Sequence, residues 1–132
     1  MDSIKLQIPS LPENVRIVES FIDNAKDRFN IDDDVYGNIM VAVTESVNNA
    51  IIHGNNCDKS KNVNISLEMS NSELRFVIED EGRGFDYNNL PDPTAPENLL
   101  KTGGRGIFLM QNLCDKVEFD NEGRRVALSF SL

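Results

Sequence analysis

Ile4, Leu6 and Ile8 alternate with polar residues, a period of two that predicts a short strand near the N-terminus. Val15, Val18, Ile22, Ala25 and Phe29 then recur at helical spacing and predict a helix with one apolar face. Just ahead of it, Ser10-Leu11-Pro12-Glu13 carries helix-start chemistry. Ser10 is expected as N-cap, Pro12 in the first turn and Glu13 as the capping-box partner. Asp32-Asp33-Asp34 puts negative charge where the dipole of a second helix favours it. That helix is expected to run to about Ile52 and to close at His53-Gly54, with Gly54 as its C′ residue.

Beyond it, Val63, Ile65, Leu67 and Met69 alternate, as do Leu74, Phe76 and Ile78, around turn chemistry at Ser70-Asn71-Ser72. The two runs predict an antiparallel hairpin. Residues 86–102 hold three prolines and little periodicity, and so form a long irregular loop of the kind that serves as a functional lid or stays disordered. A glycine-opened helix is expected from Gly103 to Leu113. Val117 and Phe119, then Val126, Leu128, Phe130 and Leu132, form two last strands around Asn121-Glu122-Gly123. The sum is an α+β fold, a two-layer sandwich with helices on one face of a mixed, mostly antiparallel sheet.

Composition narrows the options. The 132 residues suit one domain, 1–132, with a hydrophobic fraction of 39%, enough for a core without disulfide or metal staples. No apolar run is long enough to span a membrane, and Met1-Asp2-Ser3-Ile4-Lys5 is unlike a signal peptide. Cys57 and Cys114 stand in no paired spacing, and with a single His a Cys/His zinc site is disfavoured. Free thiols fit a reducing, cytoplasmic compartment. The net charge of −9 disfavours direct nucleic-acid or anionic-membrane partners, yet leaves room for a nucleotide held by local donors and Mg²⁺.

Three segments carry candidate chemistry. Along the second helix, Glu45, Asn49 and His53 follow one another at four-residue spacing through an otherwise apolar stretch. A cation or ligand site, with Asn49 offering an oxygen and Glu45 acting as a base, and a solvated helix face both fit that spacing. Asp80 continues the inward phase of Leu74, Phe76 and Ile78, so its carboxylate is expected between sheet and helices. There it needs a donor, and an adenine amino group is one. Gly82 and Gly84 leave the backbone open to a flat ring, although Asp-Glu-Gly is also ordinary turn chemistry. Thr102-Gly103-Gly104-Arg105-Gly106 opens a helix whose N–H groups suit an anion, with Lys101 and Arg105 as nearby charges; a flexible hinge fits the glycines too. Neither the phosphate-loop nor the Rossmann spacing is met.

Taken together, Glu45-Ser46-Val47-Asn48-Asn49-Ala50-Ile51-Ile52-His53-Gly54, Asp80-Glu81-Gly82-Arg83-Gly84-Phe85 and Gly104-Arg105-Gly106-Ile107-Phe108-Leu109-Met110 resemble three boxes of one ATPase family. They are the N, G1 and G2 boxes of the histidine-kinase-like ATPase fold, shared by gyrase, large heat-shock chaperones, histidine kinases and the mismatch-repair ATPase. The chain is most similar to the small bacterial anti-sigma factor serine kinases, and the resemblance covers nearly all of it. It implies that Asn49 coordinates Mg²⁺, Glu45 is the general base and Asp80 binds the adenine amino group. It further implies close approach of the nucleotide at Gly82 and Gly84, ATP contacts from Lys101, Thr102, Gly103, Gly104, Arg105 and Gly106, and an ATP lid over about 86–103. His53 matches the end of the N box in a structural role, and is not a sensor-kinase phosphoacceptor.

Two departures from the family stand out. Its lid arginine is replaced by Thr102, with Lys101 beside it, and a lysine lacks the planar fork of arginine. Its late Gly-Thr-Thr stands here as Gly123-Arg124-Arg125, which removes a hydroxyl expected near the adenine. The implied function is an anti-sigma regulator that uses Mg-ATP to phosphorylate a serine on an anti-anti-sigma domain, with a sigma factor as a further partner. The alternative, motivated by the altered lid and Arg125, is an ATP-gated protein-binding module with little or no kinase activity. A detached sensor-kinase catalytic domain is the weakest reading. Homodimerisation is expected from the family alone.

Overall fold

The computed structural model describes residues 2–70, 72–82 and 110–132. Strand β1 (Asp2–Pro9) leads through a 3₁₀ turn (Pro12–Asn14) into helix α1 (Val15–Phe29), and helix α2 (Asp33–Asn49) follows. A π turn (Ala50–Gly54) prolongs α2. Strands β2 (Asn62–Met69) and β3 (Glu73–Glu79) form the expected hairpin. After a helical end at residues 110–113, strands β4 (Lys116–Asp120) and β5 (Arg125–Ser131) are joined by a second 3₁₀ turn, Asn121–Gly123.

The five strands lie in the order β1-β2-β3-β5-β4, and every pairing among the described residues is antiparallel. Period-two alternation explains the layering. Leu6, Ile65, Ile78 and Val126 stand across from one another along the register, as do Leu67, Phe76 and Leu128. Their common face is covered by Val18, Ile22 and Ala25 of α1 and by Ile39, Ala42, Val43 and Val47 of α2, all buried. Phe76 and Phe130 meet edge to face at its centre, with centroids 6.1 Å apart and planes at 85°. That geometry adds about 0.5–1.5 kcal/mol to the burial of the rings. The opposite face is lined by Lys5, Gln7, Ser66, Glu79 and Arg125.

Two expected helix boundaries are corrected. Ser10 does not cap α1. The 3₁₀ turn starts after Leu11 with no side-chain cap, and Ser10 is instead fully buried, its hydroxyl donating to the Lys61 carbonyl at 2.6 Å. A buried hydroxyl at the meeting of β1 and β2 gains more from a carbonyl there than from a helix end beside solvent. Nor is Gly54 a left-handed stop. The helical path continues through it, and the chain reverses at Asn56 and Cys57, whose φ angles are +53° and +57°. Leu132 lies one residue past the end of β5 and is exposed.

Candidate functional site

Gly54 is the meeting point of the helical layer and the sheet. A Cβ placed on it would stand 2.5 Å from the Asp80 carboxyl carbon. A Cβ placed on Gly82 would fall 1.8 Å from the Gly54 carbonyl oxygen. Real Cβ atoms essentially never approach so closely, so the backbone contact requires glycine at 82, while glycine at 54 leaves the space that the Asp80 carboxylate fills. The Asp80 carboxylate therefore faces the end of the α2 path, as its phase along β3 requires, although β3 itself stops at Glu79.

Asp80 is held at both ends. Its N–H donates to the Arg124 carbonyl at 2.9 Å, and its Oδ1 accepts the Gly82 N–H at 2.8 Å. The side chain is half-buried, and burial pushes its carboxyl above the ordinary value of 3.8. The Gly82 N–H and the Arg124 charge pull the other way, Glu79 adds to the rise, and Lys61 opposes it. A carboxylate kept in a partly dry setting by a single short backbone bond retains lone pairs for a further donor.

Around it lies a buried polar clasp that pattern reading missed. Asn55 is fully buried. Its Nδ2 donates to Ser10 Oγ at 2.7 Å and to the Asn62 carbonyl at 3.1 Å, and its Oδ1 accepts the Glu81 N–H at 2.8 Å. Its own N–H donates to the Ala50 carbonyl at 2.8 Å, closing the π turn. Glu81 Oε1 in turn accepts the Asn62 N–H at 3.0 Å. One amide thus ties the end of β1, the π turn, the start of β2 and the residue after Asp80. Replacing it leaves several buried groups unsatisfied at about 1–3 kcal/mol each. Asn55→Ala is expected to lose about 2–4 kcal/mol of stability in urea unfolding, against less than about 0.5 kcal/mol for Asn24→Ala on the exposed side of α1.

The expected polar stripe holds for two of its three members. Glu45 and Asn49 lie one α-helical turn apart, both partly buried. Buried Ser46 lies between them and donates from Oγ to Met110 Sδ. Met110 itself is buried, so its side chain packs on α2 at Ser46, the residue after Glu45. The stripe breaks before His53. A π turn takes more than four residues, so His53 no longer stands one turn above Asn49, and it is exposed. The remaining expected positions, Gly84, Lys101, Thr102, Gly103, Gly104, Arg105 and Gly106, and the lid 86–103, lie outside the described residues.

The two late arginines part company. Arg125 points to the outer side, where its Nη1 meets Asp120 Oδ2 at 2.7 Å, so it lends no support to a nucleotide-gated surface. Arg124 turns towards the Asp80 loop and donates from Nε to the Gly82 carbonyl at 2.6 Å. What the described residues make together is a tight contact of Gly54, Gly82 and the Asp80 carboxylate at the end of the α2 path, with the Glu45 carboxylate and the Asn49 amide one turn apart on α2 itself. No cluster of three metal-ligating side chains occurs among the described residues. A single amide oxygen is nonetheless a suitable protein ligand for Mg²⁺, which takes most of its shell from phosphates and water.

Comparison with known proteins agrees with this arrangement. A family model described as "Histidine kinase-like ATPase domain" matches residues 8–130. The serine-protein kinase RsbW of Oceanobacillus iheyensis is 28% identical over 127 residues, 92% of this chain and 80% of that protein. RsbW of Bacillus subtilis is 29% identical over 135 residues, with 97% and 84% covered. RsbW of Staphylococcus aureus is 31% identical over 126 residues, with 88% and 77% covered. Among solved structures, the RsbU and RsbW domains of a Mycobacterium tuberculosis protein align with a TM-score of 0.70 at 13% identity. That match covers 99% of this chain and 31% of the other, and shows a shared fold.

Proposed function

Because the chain belongs to the histidine kinase-like ATPase family, in its anti-sigma factor serine-kinase branch, we propose that it binds Mg-ATP and phosphorylates a serine of a protein partner. The observation that carries this reading is the Asp80 carboxylate, half-buried and packed on Gly54 with acceptor capacity to spare. Its natural complement is the exocyclic amino group of adenine. Gly54 and Gly82 bring backbone, rather than side chain, beside that carboxylate.

In the reaction proposed, the Asn49 carboxamide oxygen holds Mg²⁺, which neutralises charge on the phosphates when bound. Gly84 is proposed to allow close approach of the adenine, and Lys101, Gly103, Gly104, Arg105 and Gly106 to line the phosphate side, with Thr102 at the lid. Glu45 takes the proton of the serine hydroxyl as that oxygen forms its bond to the γ-phosphorus, and the bond to the β–γ bridging oxygen breaks to release ADP. Most of the acceleration in such transfers comes from positioning and charge stabilisation, with the base adding about 10²–10⁴-fold.

The partner proposed is an anti-anti-sigma domain protein that carries the serine, with a sigma factor as the second binding partner, in the cytoplasm. Homodimerisation is proposed on family grounds. No described helix is long and apolar enough to cross a membrane. The test is to incubate the protein with Mg-ATP and the candidate partner and follow phosphoserine by mass spectrometry. Phosphate on one partner serine is the expected result. ATP binding with no transfer would leave the gated-binding alternative, in which Asn49→Ala abolishes partner regulation and Glu45→Ala spares it.

A further inference from the structure

Arg124 stands between the 3₁₀ turn Asn121–Gly123 and β5, and its side chain reaches across to the Asp80 loop. Nε donates to the Gly82 carbonyl at 2.6 Å and Nη1 to the Asn121 carbonyl at 3.2 Å. Its backbone carbonyl accepts the Asp80 N–H at 2.9 Å, and its N–H donates to Asn121 at 3.2 Å. The turn behind it is pinned in turn, since Asn121 is left-handed at φ +52° and Asn121 Nδ2 donates to Glu79 Oε2 at 3.1 Å. One residue therefore grips the Asp80–Gly82 turn from both sides, through main chain before the turn and through guanidinium after it.

The structure assigns to Arg124 the role of a positioning residue that sets where the Asp80 carboxylate stands relative to an incoming adenine. This inference rests on the nucleotide reading above and adds a residue outside the three motif segments. Gly82 has no side chain with which to anchor the turn, and its carbonyl is a second acceptor two residues from the Asp80 carboxylate. Tying that carbonyl to a planar fork leaves Asp80 as the acceptor presented to the base. The fork also supplies positive charge beside a carboxylate disfavoured by burial. The other charged groups around Asp80 are Lys61 from the segment entering β2 and Glu79 from β3. Glu81 and exposed His53 flank the same contact.

Three substitutions separate the components. Arg124→Gln keeps a donor and removes the charge, Arg124→Lys keeps the charge and removes the fork, and Arg124→Thr removes both. Dissociation constants for ATP and for inosine triphosphate, which carries an oxo group where adenine has its amino group, are measured for each. A positioning role predicts roughly tenfold weaker ATP binding in Arg124→Gln, a smaller loss in Arg124→Lys, and a narrower ATP-to-ITP ratio in both. Unfolding temperatures should stay within about 3 °C of wild type, since the bonds lost are partly exposed. A general loss of structure would instead weaken both nucleotides in parallel and leave the ratio alone. Wild-type affinity and ratio in Arg124→Gln and Arg124→Lys overturn the inference. A wild type that binds no nucleotide overturns the nucleotide reading alone. In that event carbon NMR titration of the Asp80 carboxyl in the nucleotide-free protein still decides whether Arg124 acts on it. A higher midpoint in Arg124→Gln supports the role, and an unchanged one ends it.

Discussion

Asp80→Asn is expected to weaken ATP binding by roughly 10- to 100-fold while leaving the nucleotide-free fold at least as stable as wild type. The loss follows from the chemistry of the base. A hydrogen bond to a charged acceptor contributes about 1.5–3 kcal/mol, and an asparagine offers a neutral oxygen with an amide donor beside it that repels the adenine amino group. The stability result follows from the setting of Asp80. Burial raises its carboxyl above 3.8, so the folded chain holds that proton to higher pH than the unfolded chain does. Folding stability from this group is therefore greatest below the unfolded value and falls as pH rises through the folded one. At neutral pH the ionised side chain is a net cost, which asparagine removes while still accepting the Gly82 N–H. Thermal unfolding at pH 7 should place the variant level with or above wild type, and that difference should shrink towards pH 4. A variant that unfolds much earlier than wild type at pH 7 would mark Asp80 as a structural anchor instead.

Glu45→Gln carries the other large effect. Phosphotransfer to the partner serine is expected to fall by about 10²–10⁴-fold, with the Mg-ATP dissociation constant within about threefold of wild type. Glutamine preserves length and shape on α2 but cannot take a proton. The contact between Ser46 and Met110, next to Glu45 along the helix, survives the change, so the packing of Met110 on α2 is undisturbed. Steady-state assays with saturating partner, paired with nucleotide titration, separate the two quantities. Equal losses in transfer and in ATP affinity would show that Glu45 holds nucleotide rather than acting on the serine.

Most of the architecture was legible because it depends on short periods. The alternation in β2, β3 and β5 fixes which face is buried, and the same period carried one step beyond β3 correctly turned Asp80 inward. Helical spacing likewise found the buried face of α1. The failures lie where long-range bonds outbid local ones. Ser10 carries the local chemistry of an N-cap, yet Asn55 and Lys61, more than forty residues later, claim its hydroxyl. Gly54 looks like a helix stop, but its lack of a side chain serves the approach of Asp80 and Gly82. The π turn that follows Asn49 displaced His53 from a stripe that spacing alone had kept intact. Asn55 and Arg124 gave no periodic signal at all. Asn55 is set by its bonds to Ser10, Asn62 and Glu81, and Arg124 by its bond to Gly82, contacts that follow no local period.

The base-recognition claim is tested most directly by the ratio of ITP to ATP dissociation constants for the wild-type protein with Mg²⁺. The two nucleotides share every phosphate and ribose contact and differ where Asp80 is proposed to bind. A carboxylate facing an oxo group gains no hydrogen bond and is repelled, so ATP is predicted to bind at least about 100-fold more tightly. Equal affinities would contradict the account, because the carboxylate beside Gly54 would then not be reading the base.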